Sequence, residues 1–332
     1  MTDDTTEKPI EVRTFATMED IRSLRGFEEN NPVSKDNYDR IIGDYDFSDE
    51  VKCCREKSTG YLCGEGHKRG FVARLKDKTI SIVGNYCAKD KFGADATIKA
   101  DRSKYINEKR RRERFVQLDN LVAEKEIRLS KLEVLKEELR KIQERIKGFL
   151  DSLGEKTRRR LQDMARTANV VVSVHAVTYR DYIDEDGNKQ KERSVSPQRL
   201  GSLNGLSVID ERSFQSLYSS MKEIKRAYDT AEAITGDIKI SELEALVNAI
   251  NDLDRIENSI GSLEKEEASL FANDLSLLCF LVDDKSERCK SARVALERSG
   301  DTVGKEKAKA WLSEKDQVIK KTLNADKIEI LY

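Results

Sequence analysis

Four of the six cysteines and one of the two histidines fall within the 35 positions from Cys53 to Cys87. No other feature constrains the chain as much. A fold that gathers thiols and an imidazole uses them as a metal site, as a disulfide or as small buried packing groups. The spacing is Cys54-x8-Cys63-x3-His67-x19-Cys87, with Cys53 as the alternative first ligand. Zinc takes four such donors at tetrahedral corners. Gly64 and Gly66 let the Cys63–His67 segment turn so that both side chains face one point. Cys87 follows a predicted hairpin and opens a predicted helix, where the helix dipole favours a thiolate. The expected cofactor is Zn2+ in a structural role, because three cysteines and one histidine complete the shell and leave no position for a reacting water.

The remaining donors read differently. Cys279 and Cys289 stand ten residues apart on predicted helices with no histidine nearby, as small buried groups do. His175 alternates with valines of a predicted strand and reads as a packed or surface side chain. The start, Met1-Thr2-Asp3-Asp4, has neither the basic nor the apolar region of a secretory signal, and no run of eighteen apolar residues predicts a membrane span. Cysteines in such a chain point to a reducing, cytoplasmic compartment.

Charged residues make up 37% of the chain and hydrophobic ones 38%, with three prolines. That mixture favours long solvated helices over one large core. The expected fold class is mainly α with small β elements: an N-terminal zinc-stapled α+β module, then long coiled-coil helices with a small β insert. Residues 1–50 form an acidic segment that opens on a flexible tail, 1–10. It continues with a short strand over 10–15 and short helices over Met18–Phe27 and Lys35–Tyr45. Residues 51–103 form the β-rich zinc module, with strands over Gly70–Leu75 and Thr79–Val83 around an Asp77-Lys78 turn, the β pattern ending near Gly93. Over 104–168 the period changes from two to between three and four, and Leu132, Leu135, Leu139, Ile142, Ile146 and Phe149 make a coiled-coil stripe that weakens at Gly148. Residues 169–209 read as a β-hairpin insert turning at Asp186-Gly187. A second coiled-coil region covers 210–272, capped by Asp210, interrupted at Gly236 and restarted by a capping box at Ser241–Glu244. Residues 273–332 hold two helices and a terminal strand, Lys327–Leu331.

The segments Cys63-Gly-Glu-Gly-His67 and Gly84-Asn-Tyr-Cys87-Ala, in the order loop, knuckle, hairpin and helix start, resemble the treble-clef class of zinc fingers. The resemblance covers about residues 53–93 and implies a zinc-holding module. It implies no activity.

The net charge of −1 conceals an asymmetry. Residues 1–50 hold 14 acids and 6 bases, net −8, and residues 51–112 hold 17 bases and 7 acids, net +10. Lys68, Arg69, Arg74, Lys76, Lys109, Arg110, Arg111 and Arg112 are the candidate nucleic-acid-binding residues, since clustered cations release counterions from phosphates. Phe71 and Tyr86 are the aromatics able to stack on bases. The sequence has no phosphate-binding loop, nucleophile elbow or paired-histidine zinc-protease motif. Three readings follow. The first is a non-enzymatic zinc-finger and coiled-coil protein that binds nucleic acid or acts as a scaffold. The second is a protein-interaction adaptor with a purely structural zinc and coiled-coil self-association. The third is a metal-dependent hydrolase using Glu65 as base.

Overall fold

The computed structural model describes residues 11–92, 97–183, 185, 188–234, 238–300 and 303–330. The expectations placed on residues 1–10, Gly93, Asp186-Gly187, Gly236 and Leu331 lie outside them. The protein is mainly helical with two small sheets. The chain divides into two compact units, residues 1–121 with 234–247, and residues 122–233 with 248–332. No helix among the described residues is long and apolar enough to cross a membrane.

The first unit is built on a four-stranded sheet in the order β1 (Thr14–Phe15), β2 (Tyr38–Lys52), β3 (Gly66–Leu75), β4 (Ile80–Gly84). β1 runs parallel to β2 and the other pairs are antiparallel. The short helix α1 (Met18–Arg22) carries a reciprocal cap between Thr17 and Asp20. The helix expected over Lys35–Tyr45 is instead the start of β2. Tyr38, Ile41, Ile42 and Tyr45 have the i, i+3, i+4, i+7 spacing of a helix face. Register shifts at Tyr38/Arg40 and Ile41/Gly43 let a bulged strand bury Tyr38, Ile41 and Tyr45 with that same spacing.

Helix α2 (Thr97–Ala123) is tied to this sheet by buried polar contacts. The Tyr105 hydroxyl donates to the Arg13 carbonyl at 2.7 Å and accepts from the Arg13 N–H at 3.1 Å. Lys109 Nζ reaches Asp44 at 2.5 Å and Thr14 at 2.9 Å, and Tyr38 donates to Asp101 at 2.8 Å. The edge of one ring meets the face of the other between Phe71 and Tyr105, with centroids 6.0 Å apart.

In the second unit, α3 (Lys125–Ser152) packs against α5 (Glu211–Glu232) and α7 (Leu253–Phe271). The stripe from Leu132 to Phe149 is buried together with Phe214, Leu217, Met221 and Ile224 of α5 and Ile256, Ile260 and Leu263 of α7. The pairs Lys125–Glu232, Lys225–Glu133 and Tyr218–Gln143 run in opposite senses along the chain, so α3 and α5 are antiparallel. Lys131–Glu257 and Arg145–Glu267 run in the same sense, so α3 and α7 are parallel. Helix α3 continues through Gly148 to Ser152, because Phe149 and Leu150 beyond the glycine are buried and hold the last turn. Asp210 caps α5 as expected. Ser241 lies inside α6 (Ile240–Asn251) and caps nothing.

The insert is part of a larger sheet. β5 (Val171–Ile183) pairs with β6 (Lys189–Ser202) on one side and with the C-terminal β7 (Lys327–Ile330) on the other, Val174 opposite Ile330 and Val177 opposite Lys327. Helices α4 (Glu155–Thr167), α8 (Lys285–Arg298) and α9 (Lys305–Thr322) complete the unit.

Helix α4 has no side-chain cap of its own. A buried carboxylate from α8 takes that role: Glu287 accepts from the Lys156 N–H at 3.0 Å and the Thr157 N–H at 3.4 Å. A Cβ on Gly154 would lie 2.0 Å from that carboxylate, so glycine is needed there for the approach. Removing the acceptor leaves enclosed N–H groups unpaired, at about 1–3 kcal/mol. Glu287→Ala is expected to lower the unfolding free energy by that amount, read from the midpoint shift in urea denaturation.

Candidate metal centre

Cys53, Cys63 and Cys87 are buried, and their sulfurs all lie within 4.8 Å of one another. Each comes from a different segment. Cys53 follows the end of β2, Cys63 sits in the loop before β3, and Cys87 opens the helical turn Cys87–Lys91 after β4. The first two are brought together by backbone pairing. The Cys53 N–H donates to the Glu65 carbonyl at 3.0 Å, and the Gly64 N–H donates to the Cys53 carbonyl at 3.0 Å. Gly64 has φ +67, the left-handed backbone this knuckle requires. The β3–β4 pairing, Gly70 opposite Gly84, then returns the chain so that Cys87 arrives beside Cys63.

One of the spacings matches that of metal-bound thiolates. Sulfurs at the zinc–thiolate bond length stand about 3.8 Å apart across a tetrahedron. Cys63 Sγ and Cys87 Sγ are 3.7 Å apart, and all six cysteines of the chain are free. Backbone donors point at the sulfurs, with the Gly84 N–H 3.5 Å from Cys53 Sγ. Burial pushes the Cys53 thiol up to about 12, against the pull of the Gly84 and Arg55 N–H groups. Burial raises Cys87 as well. At Cys63 burial acts in the same sense but is outweighed by the Glu65 N–H, by Cys87 and by the Arg55 side chain, which together hold this thiol below its ordinary value. Three soft donors in an enclosed space can hold a metal ion.

The vicinal pair is separated in the structure. The structure places Cys53, the alternative first ligand, with Cys63 and Cys87, and leaves Cys54 out of the group. Successive side chains of extended backbone point to opposite sides. Cys54 Sγ donates instead to the Lys52 carbonyl at 3.7 Å and lines a cavity of about 230 Å³ with Met18, Phe27, Glu50 and Ile82.

His67 stands beside the three sulfurs' segments without joining their group. Its Nε2 is 2.5 Å from the Tyr45 hydroxyl and its Nδ1 is 3.3 Å from the Glu65 carbonyl. Burial holds the imidazole below its ordinary value. Glycines make room for this pair: a Cβ on Gly70 would lie 2.3 Å from the Tyr45 hydroxyl, and one on Gly84 3.0 Å from the His67 ring. The contact of Tyr45 with His67 arises from β2–β3 register, which spacing in the sequence does not express.

Most of the predicted basic residues have partners in the chain. Arg69 pairs with Asp46 at 2.8 Å, Lys109 with Asp44 at 2.5 Å and Arg112 with Glu108 at 3.0 Å. Lys76 donates to the Asp36 carbonyl at 2.6 Å, Arg110 meets Glu244, and Arg111 lies over the Phe115 ring at 5.6 Å. Lys68 is exposed and Arg74 half-buried, both on β3. Of the two aromatics, Phe71 is buried and Tyr86 is exposed, with Lys91 Nζ 5.1 Å from its ring centre. Glu65 is exposed, and its backbone rather than its carboxylate organises the knuckle.

Compared with family models, with curated proteins and with solved structures, the chain matches none.

The two adjacent cysteines give a direct check. Cys53→Ser is expected to abolish stoichiometric metal retention, while Cys54→Ser retains it, measured as metal per chain after gel filtration.

Proposed function

We propose that the cysteine cluster holds one zinc ion as a structural staple, and that the chain is a non-enzymatic adaptor whose stapled module binds a protein partner. One observation carries this reading: three buried sulfurs from three separate segments, two of them at the spacing of zinc-bound thiolates. Thiolates select zinc over magnesium or calcium. His67 is the fourth donor in this reading. Burial favours its neutral, metal-binding form, and Tyr45 occupies Nε2, which leaves Nδ1 with only a long contact to exchange. Metal-bound histidines characteristically have their other nitrogen held in this way.

The adaptor reading is preferred to nucleic-acid binding because the carboxylates of Asp44 and Asp46 and the carbonyl of Asp36, all from the acidic segment, meet Lys109, Arg69 and Lys76. A phosphate backbone would have to displace these contacts before it released counterions. Self-association through the stripe of α3 is not needed in this reading, since α5 and α7 cover it within the chain.

Purified protein is expected to carry about one zinc per chain, and Cys63→Ser much less than half of that. His67→Ala is expected to weaken retention as well. Titration with single- and double-stranded DNA and with RNA at several salt concentrations is expected to show no salt-dependent binding. An affinity falling linearly in log–log form with salt would instead establish the nucleic-acid reading.

A further inference from the structure

A cavity of about 380 Å³ opens between α3, α4 and the start of α5. It lies wholly within the second unit, away from the cysteine cluster. Its floor is apolar. Ile146 and Leu150 of α3, Ile209 just before α5 and Phe214 of α5 line it, and all four belong to the buried core. The volume falls in the range of small-molecule sites, which set an apolar surface beneath a few polar groups.

The rim carries the charges. Lys147 and Asp151 of α3, Arg158 and Arg159 of α4 and Glu211 of α5 line the same cavity. Three of these are engaged within the chain. Arg158 Nη1 meets Asp151 at 3.4 Å, and Arg159 pairs with Glu155. Lys147 and Glu211 remain. Both are exposed, and neither side chain makes an ion pair or a hydrogen bond among the described residues. The uncompensated set is therefore one cation and one carboxylate, on two different helices, above an apolar floor. A simple anion would pair with Lys147 and be repelled by Glu211, and a simple cation would meet the reverse. A neutral apolar guest would match neither. A zwitterion with an apolar body matches all three features.

We propose that this cavity binds a free amino acid with an apolar side chain. Its carboxylate meets Lys147, its ammonium meets Glu211, and its side chain covers Ile146, Leu150, Ile209 and Phe214. The site is independent of the zinc reading above.

The test uses the full chain and ligand-observed NMR. The probes are L-leucine, isocaproate, which lacks the ammonium, isoamylamine, which lacks the carboxylate, and glycine, which lacks the apolar body. Leucine is expected to bind about fivefold more tightly than isocaproate or isoamylamine, and glycine not measurably. Lys147→Gln is expected to weaken leucine and isocaproate by a similar factor and to leave isoamylamine no weaker. Glu211→Gln is expected to weaken leucine and isoamylamine and to leave isocaproate no weaker. No saturable leucine binding to the wild type up to about 10 mM, or leucine affinities that neither substitution changes, overturns the proposal. Isocaproate equal to leucine overturns it as well and marks a site for anions alone. Neither substitution removes an internal contact, so both variants are expected to melt with the wild type. Should one fail to fold, the ranking of the probes on the wild type decides alone.

Discussion

Three sulfurs enclosed within 4.8 Å of one another can remain neutral thiols or can be drawn together as thiolates by a cation. Burial favours the neutral thiol at Cys53 and Cys87, whereas the Glu65 N–H and its neighbours hold the Cys63 thiol below its ordinary value. The Gly84 N–H lies 3.5 Å from the Cys53 sulfur. The three cysteines bring together the end of β2, the knuckle before β3 and the turn after β4, where the sheet's hydrogen-bond ladder runs out.

Elsewhere in the same unit the sheet is held by α2. The Tyr105 hydroxyl and the Asp44–Lys109 pair sit between the strands and the helix, and each is paired on both sides. Asp44 belongs to the acidic segment and Lys109 to the basic one. The strong charge asymmetry of the N-terminal third is thus partly an internal complement, with opposite charges meeting inside one unit.

Much of the helical unit was legible in the sequence. The steps of three and four from Leu132 to Phe149 mark a buried face, and the Asp210 cap follows from local rules that depend on neighbouring residues alone. The start of β2 was not legible, because Tyr38, Ile41, Ile42 and Tyr45 satisfy a helix pattern as well as a bulged strand does. Likewise no local signal pairs β7 with β5 across more than 150 positions, or makes Glu287 the cap of a helix that begins at Glu155. Such contacts are set by which faces remain uncovered after the local elements form.

At the metal centre the division falls at single residues. The sequence by itself determined that thiols gather near the front, that Cys63 and Cys87 belong together, and that a glycine turn and a hairpin bring them there. Only the tertiary structure places Cys53 rather than Cys54 beside the other two sulfurs, because that depends on which side of an extended backbone faces the knuckle. It also decided that His67 leans on Tyr45. Spacing measures distance along the chain, whereas a donor's usefulness depends on direction in space, and direction is set by strand register and by the space that Gly70 and Gly84 leave open.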